Sequence, residues 1–162
     1  MVGILVADDG RLRQRQPLRI GGAVDEIEQV AAIETADLVT LTTGQIEAMT
    51  ATQLQALTPA QIAVLTAAQL QAIQTADLVT LSTAQIAALT TAQIDDLSTT
   101  QIAALTTTQL VAVETADVAK LTTAQIAALT TAQVDELTTA QVRDLTTAHR
   151  RALEEVELAH MT

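Results

Sequence analysis

The chain has 162 residues, nearly half of them apolar, yet it contains no Phe, Tyr, Trp or Cys. A core of Leu, Ile, Val and Ala alone suits many small identical packing sites better than one irregular globule, and the lack of cysteine excludes disulfide and thiolate chemistry. A net charge of −11 argues against a phosphate backbone as partner, because that calls for clustered Lys and Arg.

In chain order, residues 1–22 stand apart from the rest of the chain. Val2 to Val6 is an apolar, β-prone run, and Asp9-Gly10 signals a tight turn. Leu12, Leu18 and Ile20 then accompany Arg11, Arg13, Arg15 and Arg19. The pattern predicts a small β-hairpin that caps the first helix, with Gly21-Gly22 as the joint. The arginines read as a solvated strand face or a counter-charge for the acidic remainder; an anion or nucleic-acid patch is the alternative. Ile4 to Ala7 is too short for a signal-peptide core, and no run approaches the roughly 18 apolar residues of a membrane span.

Residues 23–152 form a repeat array. Leu81, Leu89, Leu97 and Leu105 are eight apart, as are Leu121, Leu129, Leu137 and Leu145. The same column runs upstream through Ile33, Leu41, Met49, Leu57, Leu65 and Ile73. A second apolar column follows five residues behind, through Ile46, Leu54, Ile62, Leu70, Leu78, Ile86, Ile94 and Ile102 to Val142. The consensus is Leu-Thr-Thr-Ala-Gln-Ile-x-x, with fourteen octads from Leu41 to Ala152. A continuous α-helix does not fit, since eight residues overshoot two turns by about 80° and the Leu column would wander around the surface. A strand does not fit either, since residues five apart point to opposite faces.

A short helix restarted in every octad explains each column. In Leu89 to Leu97, Thr90 is N-cap and Gln93 is N3, the Thr-x-x-Gln capping box. Leu89 and Ile94 are then N′ and N4, the pair that forms a hydrophobic staple. Twelve of the fourteen cap positions are Thr or Ser, and eleven of the fourteen N3 positions are Gln. Pro59 falls on N1, the helical position where a missing N–H costs nothing. Helices of about two turns do not survive alone in water, so stability must come from burying the Leu and Ile columns between octads. The expected fold is an all-α solenoid.

A longer period overlies the octad. Ile33-Glu-Thr-Ala-Asp-Leu, Ile73-Gln-Thr-Ala-Asp-Leu and Val113-Glu-Thr-Ala-Asp-Val recur every forty residues. Five octads are therefore a candidate superhelical turn, with the variant octads stacked in one column; a duplicated forty-residue segment without geometric meaning is the alternative. At the C-terminal end His149, Arg150 and Arg151 interrupt the consensus. Residues 147–160 read as one longer polar helix, and 153–162, beyond the array, as a terminal cap.

Chemistry finds few candidates. A periodic array offers no singular nucleophile, base and acid arrangement, and no nucleophile elbow, P-loop, dinucleotide fingerprint or zinc-protease motif is present. No catalytic, cofactor-binding or metal-binding residue is assigned, no cofactor is implied, and the chain is expected not to be an enzyme. His149 and His160 are the only imidazoles and are read as ordinary exposed residues rather than metal ligands. The acidic pairs Asp95/Asp96 and Asp135/Glu136 read as solvated faces. Glu34 with Asp37, Glu114 with Asp117, and Glu154 with Glu157 could offer oxygen ligands to Ca²⁺. Gln74 breaks that series, and acidic residues near a helix N-terminus also simply suit its dipole.

Leu57-Thr-Pro-Ala-Gln-Ile-Ala-Val-Leu resembles the opening helix of TAL-effector repeats. The likeness covers one octad and lacks that family's second helix and base-reading loop, so DNA reading is not carried over. The Leu-Thr-Thr-Ala-Gln-Ile octads, over about 25–152, are similar to low-complexity arrays of large, mostly uncharacterised bacterial proteins, often secreted or on the cell surface. That resemblance implies a bacterial source and a structural role. The expected function is a spacer, scaffold or filament-forming module, with self-association or a protein partner, no nucleic acid and no membrane span. The alternative is a binding scaffold whose outer Thr/Gln/Asp face contacts a protein, a glycan, ice or Ca²⁺.

Overall fold

The computed structural model describes residues 30–160, so the expected N-terminal hairpin and its arginines lie outside the described residues. Helices restart in step with the octads: α1 Thr35–Leu38, α2 Thr43–Glu47, α3 Ala51–Ala56, α4 Pro59–Ile62, α5 Ala67–Ala72, α6 Thr75–Leu78, α7 Thr83–Ala87 and α8 Thr91–Asp96. The series continues with α9 Thr99–Ala104, α10 Thr107–Ala112, α11 Thr115–Val118, α12 Thr123–Ala127, α13 Thr131–Asp135, α14 Thr139–Asp144 and α15 Thr147–His160. Among the described residues there is no strand, and no helix is long and apolar enough to cross a membrane.

The restart is a backbone event set by the cap. Thr90 sits in the extended region, at φ −74° and ψ 159°, and its hydroxyl accepts the Gln93 N–H at 3.3 Å. Gln93 reaches back so that its Oε1 accepts the Thr90 N–H at 2.8 Å. Both halves of this box are present in α2 to α5, α7 to α10 and α12 to α14. Pro59 opens α4 at its first position, where its fixed φ fits and no N–H is needed.

The two apolar columns form the core. Ile86, Ile94, Ile102 and Leu110 are each 1% exposed, and Leu81, Leu97, Leu105 and Leu121 are also buried. Every helix from α1 to α12 packs against the helix three places along, so α1 meets α4, α2 meets α5, and α12 meets α15. The chain therefore coils with its successive turns stacked, as a solenoid of short helices. The second apolar column is buried by the turn laid over it, and where that cover runs out the burial fades. Val134 is only partly buried, and Val142 is 41% exposed. The terminal helix α15 lies over α12 and α13, and it begins at Thr147, inside the last octad. It runs straight through Leu153, where a further octad would restart, because Glu154 to Glu157 supply neither the Thr cap nor the N3 glutamine.

The number of octads per turn differs from the sequence expectation. Contacts three helices apart, and hydrogen bonds spanning 28 and 31 residues, place between three and four octads in one turn, not five. Closure of the turn is set by the reach of a glutamine side chain and by helix-to-helix packing at about 8–10 Å, which the forty-residue pattern does not encode. Forty residues overshoot one turn, so successive variant octads sit at different angles around the coil instead of stacking in one column.

Candidate functional site

The glutamine at N3 does more than cap its own helix. Its Nε2 donates to two backbone carbonyls of the turn below: Gln93 to Ile62 O at 2.9 Å and Leu65 O at 2.8 Å. Gln109 repeats this on Leu78 O and Leu81 O at 3.0 and 2.8 Å, and Gln133 on Ile102 O and Leu105 O at 2.9 and 2.6 Å. Gln61, Gln69, Gln85, Gln101, Gln125 and Gln141 act in the same way. The carbonyls they reach belong to the end of a helix, where Ile62 O also accepts the Leu65 N–H, and to the linker after it, where Leu65 O has no other donor among the described residues. One amide thus closes the N-terminus of its own helix through Oε1 and the C-terminus of the helix beneath through Nε2. These glutamines are buried, 1–5% exposed, so the repeat glutamine does not face outward as a Thr/Gln/Asp binding surface would require. Two other glutamines, Gln55 and Gln71, lie outside and donate to Thr80 O and Asp96 O on the following turn.

The variant octads interrupt this column. At α1, α6 and α11 the caps Glu34, Gln74 and Glu114 accept no side-chain cap bond, and Asp37, Asp77 and Asp117 take the N3 position. A carboxylate has no N–H to give, so no glutamine amide reaches Ile46 and Met49 below Asp77, or Ile86 and Leu89 below Asp117. Asp117 is buried, 6% exposed, and accepts instead from the Thr91 hydroxyl at 2.6 Å. Residue 51, the equivalent below Asp77, is Ala and has no hydroxyl to offer. Asp37 Oδ2 is enclosed without a partner among the described residues.

The other candidate side chains are spread apart. Asp95, Asp96, Asp135 and Glu136 are exposed, as are Glu34, Glu114 and Glu154. Among the described residues no group of three or more His, Asp or Glu side chains gathers where a metal ion could be held. His160 closes α15. His149 departs from its expectation: it is 6% exposed, because it stands in the buried glutamine column of the last octad.

The three variant octads begin forty residues apart, and each falls within one match to a known repeat family. The model of the ALTTAQ repeat fits residues 30–67, 70–107 and 110–147 in tandem. The chain belongs to the ALTTAQ repeat family. Each copy of the ALTTAQ repeat contains one Asp octad followed by octads with glutamine at N3. The sequence unit of the ALTTAQ repeat is therefore longer than the geometric turn of the coil. No curated protein and no solved structure matches the chain.

The glutamine's second role was missed in the sequence because the capping box accounts for its presence completely. The signal available was redundancy: Glu serves as well as Gln in a capping box, yet no octad from Leu41 to Ala152 has Glu at N3. Only a role that needs the amide donor explains that preference.

Proposed function

We propose that the array is a non-enzymatic structural module, a spacer or scaffold within a bacterial protein of the secreted or cell-surface kind. The observation that carries this is the equivalence of the octads. Outside the two Asp octads of α6 and α11, the same cap, the same buried aliphatic column and the same cross-turn amide recur from Thr58 to Gln141. A device that works by length and stiffness needs no privileged repeat, whereas an enzyme or a specific receptor does.

The test is a pair of deletions. Removing Leu81 to Lys120 joins Thr80 to Leu121 in the octad register and brings Gln125 to the place of Gln85, over Leu54 and Leu57. That protein should melt cooperatively, keep its helical circular dichroism and be shorter by about 12 Å in small-angle scattering, the rise of somewhat more than one stacked layer. Removing residues 81–116 instead puts Gln125 into the Leu column and Leu121 at the clamp, and should destabilise the fold far more. Equal unfolding by both deletions would mean that the octads are not equivalent and would overturn the proposal. A folded forty-residue deletion that lost a binding activity of the intact chain would favour the binding-scaffold alternative.

A further inference from the structure

The clamp has two sides, since a helix holds the turn below through its own glutamine and is held in turn by a glutamine from above. Helices α4, α5, α8, α9 and α10 have both. In α9, for instance, Gln101 reaches down to Leu70 O and Ile73 O, and Gln133 reaches from above to Ile102 O and Leu105 O. Helix α6 lacks the lower clamp and α7 the upper one, because Asp77 and Asp117 stand where the amide is needed. From α4 to α14, α11 alone lacks both. Below it, Asp117 has no N–H to give to Ile86 O or Leu89 O. Above it, the clamp position is His149, and among the described residues its side chain makes no hydrogen bond to Val118 O or Leu121 O.

Two further features mark the same octad. Glu114 gives α11 no side-chain cap, and the helix is only four residues long. It is also the one octad from Leu57 to Ala152 with valine in both apolar columns, at Val113 and Val118, so it buries less aliphatic surface than octads with Leu or Ile there. Across the turn it keeps its packing against α8 and α14 and one partly buried hydrogen bond, from Thr91 Oγ1 to Asp117 Oδ1 at 2.6 Å.

We propose that residues 113–120 form a yielding joint of the coil, which opens locally while the turns on either side stay folded. Stability in a repeat array is close to a sum of unit and neighbour contributions, and local opening goes to the unit whose sum is smallest. Both neighbours are better held. Helix α10 is clamped below by Gln109 and above by Gln141, and α12 is tied to Ile94 O and Leu97 O by Gln125 and covered by α15.

Amide hydrogen exchange of the intact chain, resolved by segment and corrected for intrinsic rates, tests the joint against Asp117→Gln and His149→Gln. In the parent, residues 115–121 should exchange about tenfold or more faster than 107–113, and faster than 123–129 as well. Fraying from the C-terminal end gives another order, with exchange rising steadily from 107–113 through 115–121 to 123–129, and that order overturns the proposal. Asp117→Gln exchanges the Thr91 bond for an amide over Ile86 O and Leu89 O, and His149→Gln brings one over Val118 O and Leu121 O. Each should slow exchange in 115–121 by about threefold or more, with 67–73, already clamped on both sides, unchanged. The proposal also fails if 115–121 is as protected in the parent as 107–113, or if both variants leave exchange in 115–121 as it was.

Discussion

Replacing Gln109 with Glu separates the two duties of the repeat glutamine, because the side chains have the same shape and share the capping oxygen. In the wild-type chain Gln109 Oε1 accepts the Thr106 N–H at 2.9 Å, and its amide donates to Leu78 O and Leu81 O at 3.0 and 2.8 Å. Gln109→Glu keeps the acceptor, and a carboxylate at N3 even gains a few tenths of a kcal/mol from the helix dipole. It loses both donations. Leu78 O still accepts the Leu81 N–H at 3.2 Å, so that loss is about 1 kcal/mol of net hydrogen bonding. Leu81 O is left buried without its donor, which costs about 1–3 kcal/mol. With a carboxylate now facing two carbonyl oxygens, the expected destabilisation at pH 7 is on the order of 3 kcal/mol. The introduced acid is disfavoured in its ionised form in the folded chain, so its pKa there lies above the unfolded value of about 4.3. The penalty is therefore full above the folded pKa and shrinks as pH falls through it, since the protonated acid can donate to one carbonyl. Thermal and urea unfolding followed by circular dichroism at pH 7 and pH 5 measures both effects, and a chain without aromatic residues leaves no fluorescence alternative. If Gln109→Glu matches wild type at pH 7, the residue is a cap alone and the cross-turn clamp contributes nothing.

The remaining predictions concern the core and the cap. Ile102→Ala removes a side chain that is 1% exposed and should cost about 2–5 kcal/mol, while Val142→Ala, at a site 41% exposed, should cost well under 1 kcal/mol. Equal costs by urea denaturation would mean that burial does not follow the turn laid over each helix. Thr90→Ala should cost about 1 kcal/mol through the lost acceptor of the Gln93 N–H; Thr90→Ser should recover most of it, and failure of Ser to do so would separate the effect from the cap.

The octad was readable in the sequence because everything that defines it is local. A Thr that prefers the extended region, a Gln three residues on, a proline at Pro59 and a pair of aliphatic columns fix where each helix begins and which face it buries, whatever lies elsewhere in the chain. The helix over 147–160 was readable from the interruption of the consensus at His149, Arg150 and Arg151. The number of octads in a turn was not. It depends on how far a Gln93 side chain reaches to Ile62 and Leu65 and on how closely two helices stack, distances through space that no sequence period records. The forty-residue repeat suggested the wrong turn because it marks where aspartate replaces glutamine, a feature of the inherited unit. Burial of His149 was hidden likewise: Leu145 and Thr146 place it at N3 by local rules, but only the packing of α15 onto α12 and α13 turns that position into an enclosed one. Sequence alone determined the helices, their caps and their apolar faces, since those follow from backbone preference and side-chain period. The tertiary structure decided the pitch of the coil and the partner of every clamp amide, since those follow from which carbonyls of the turn below come within reach of each amide.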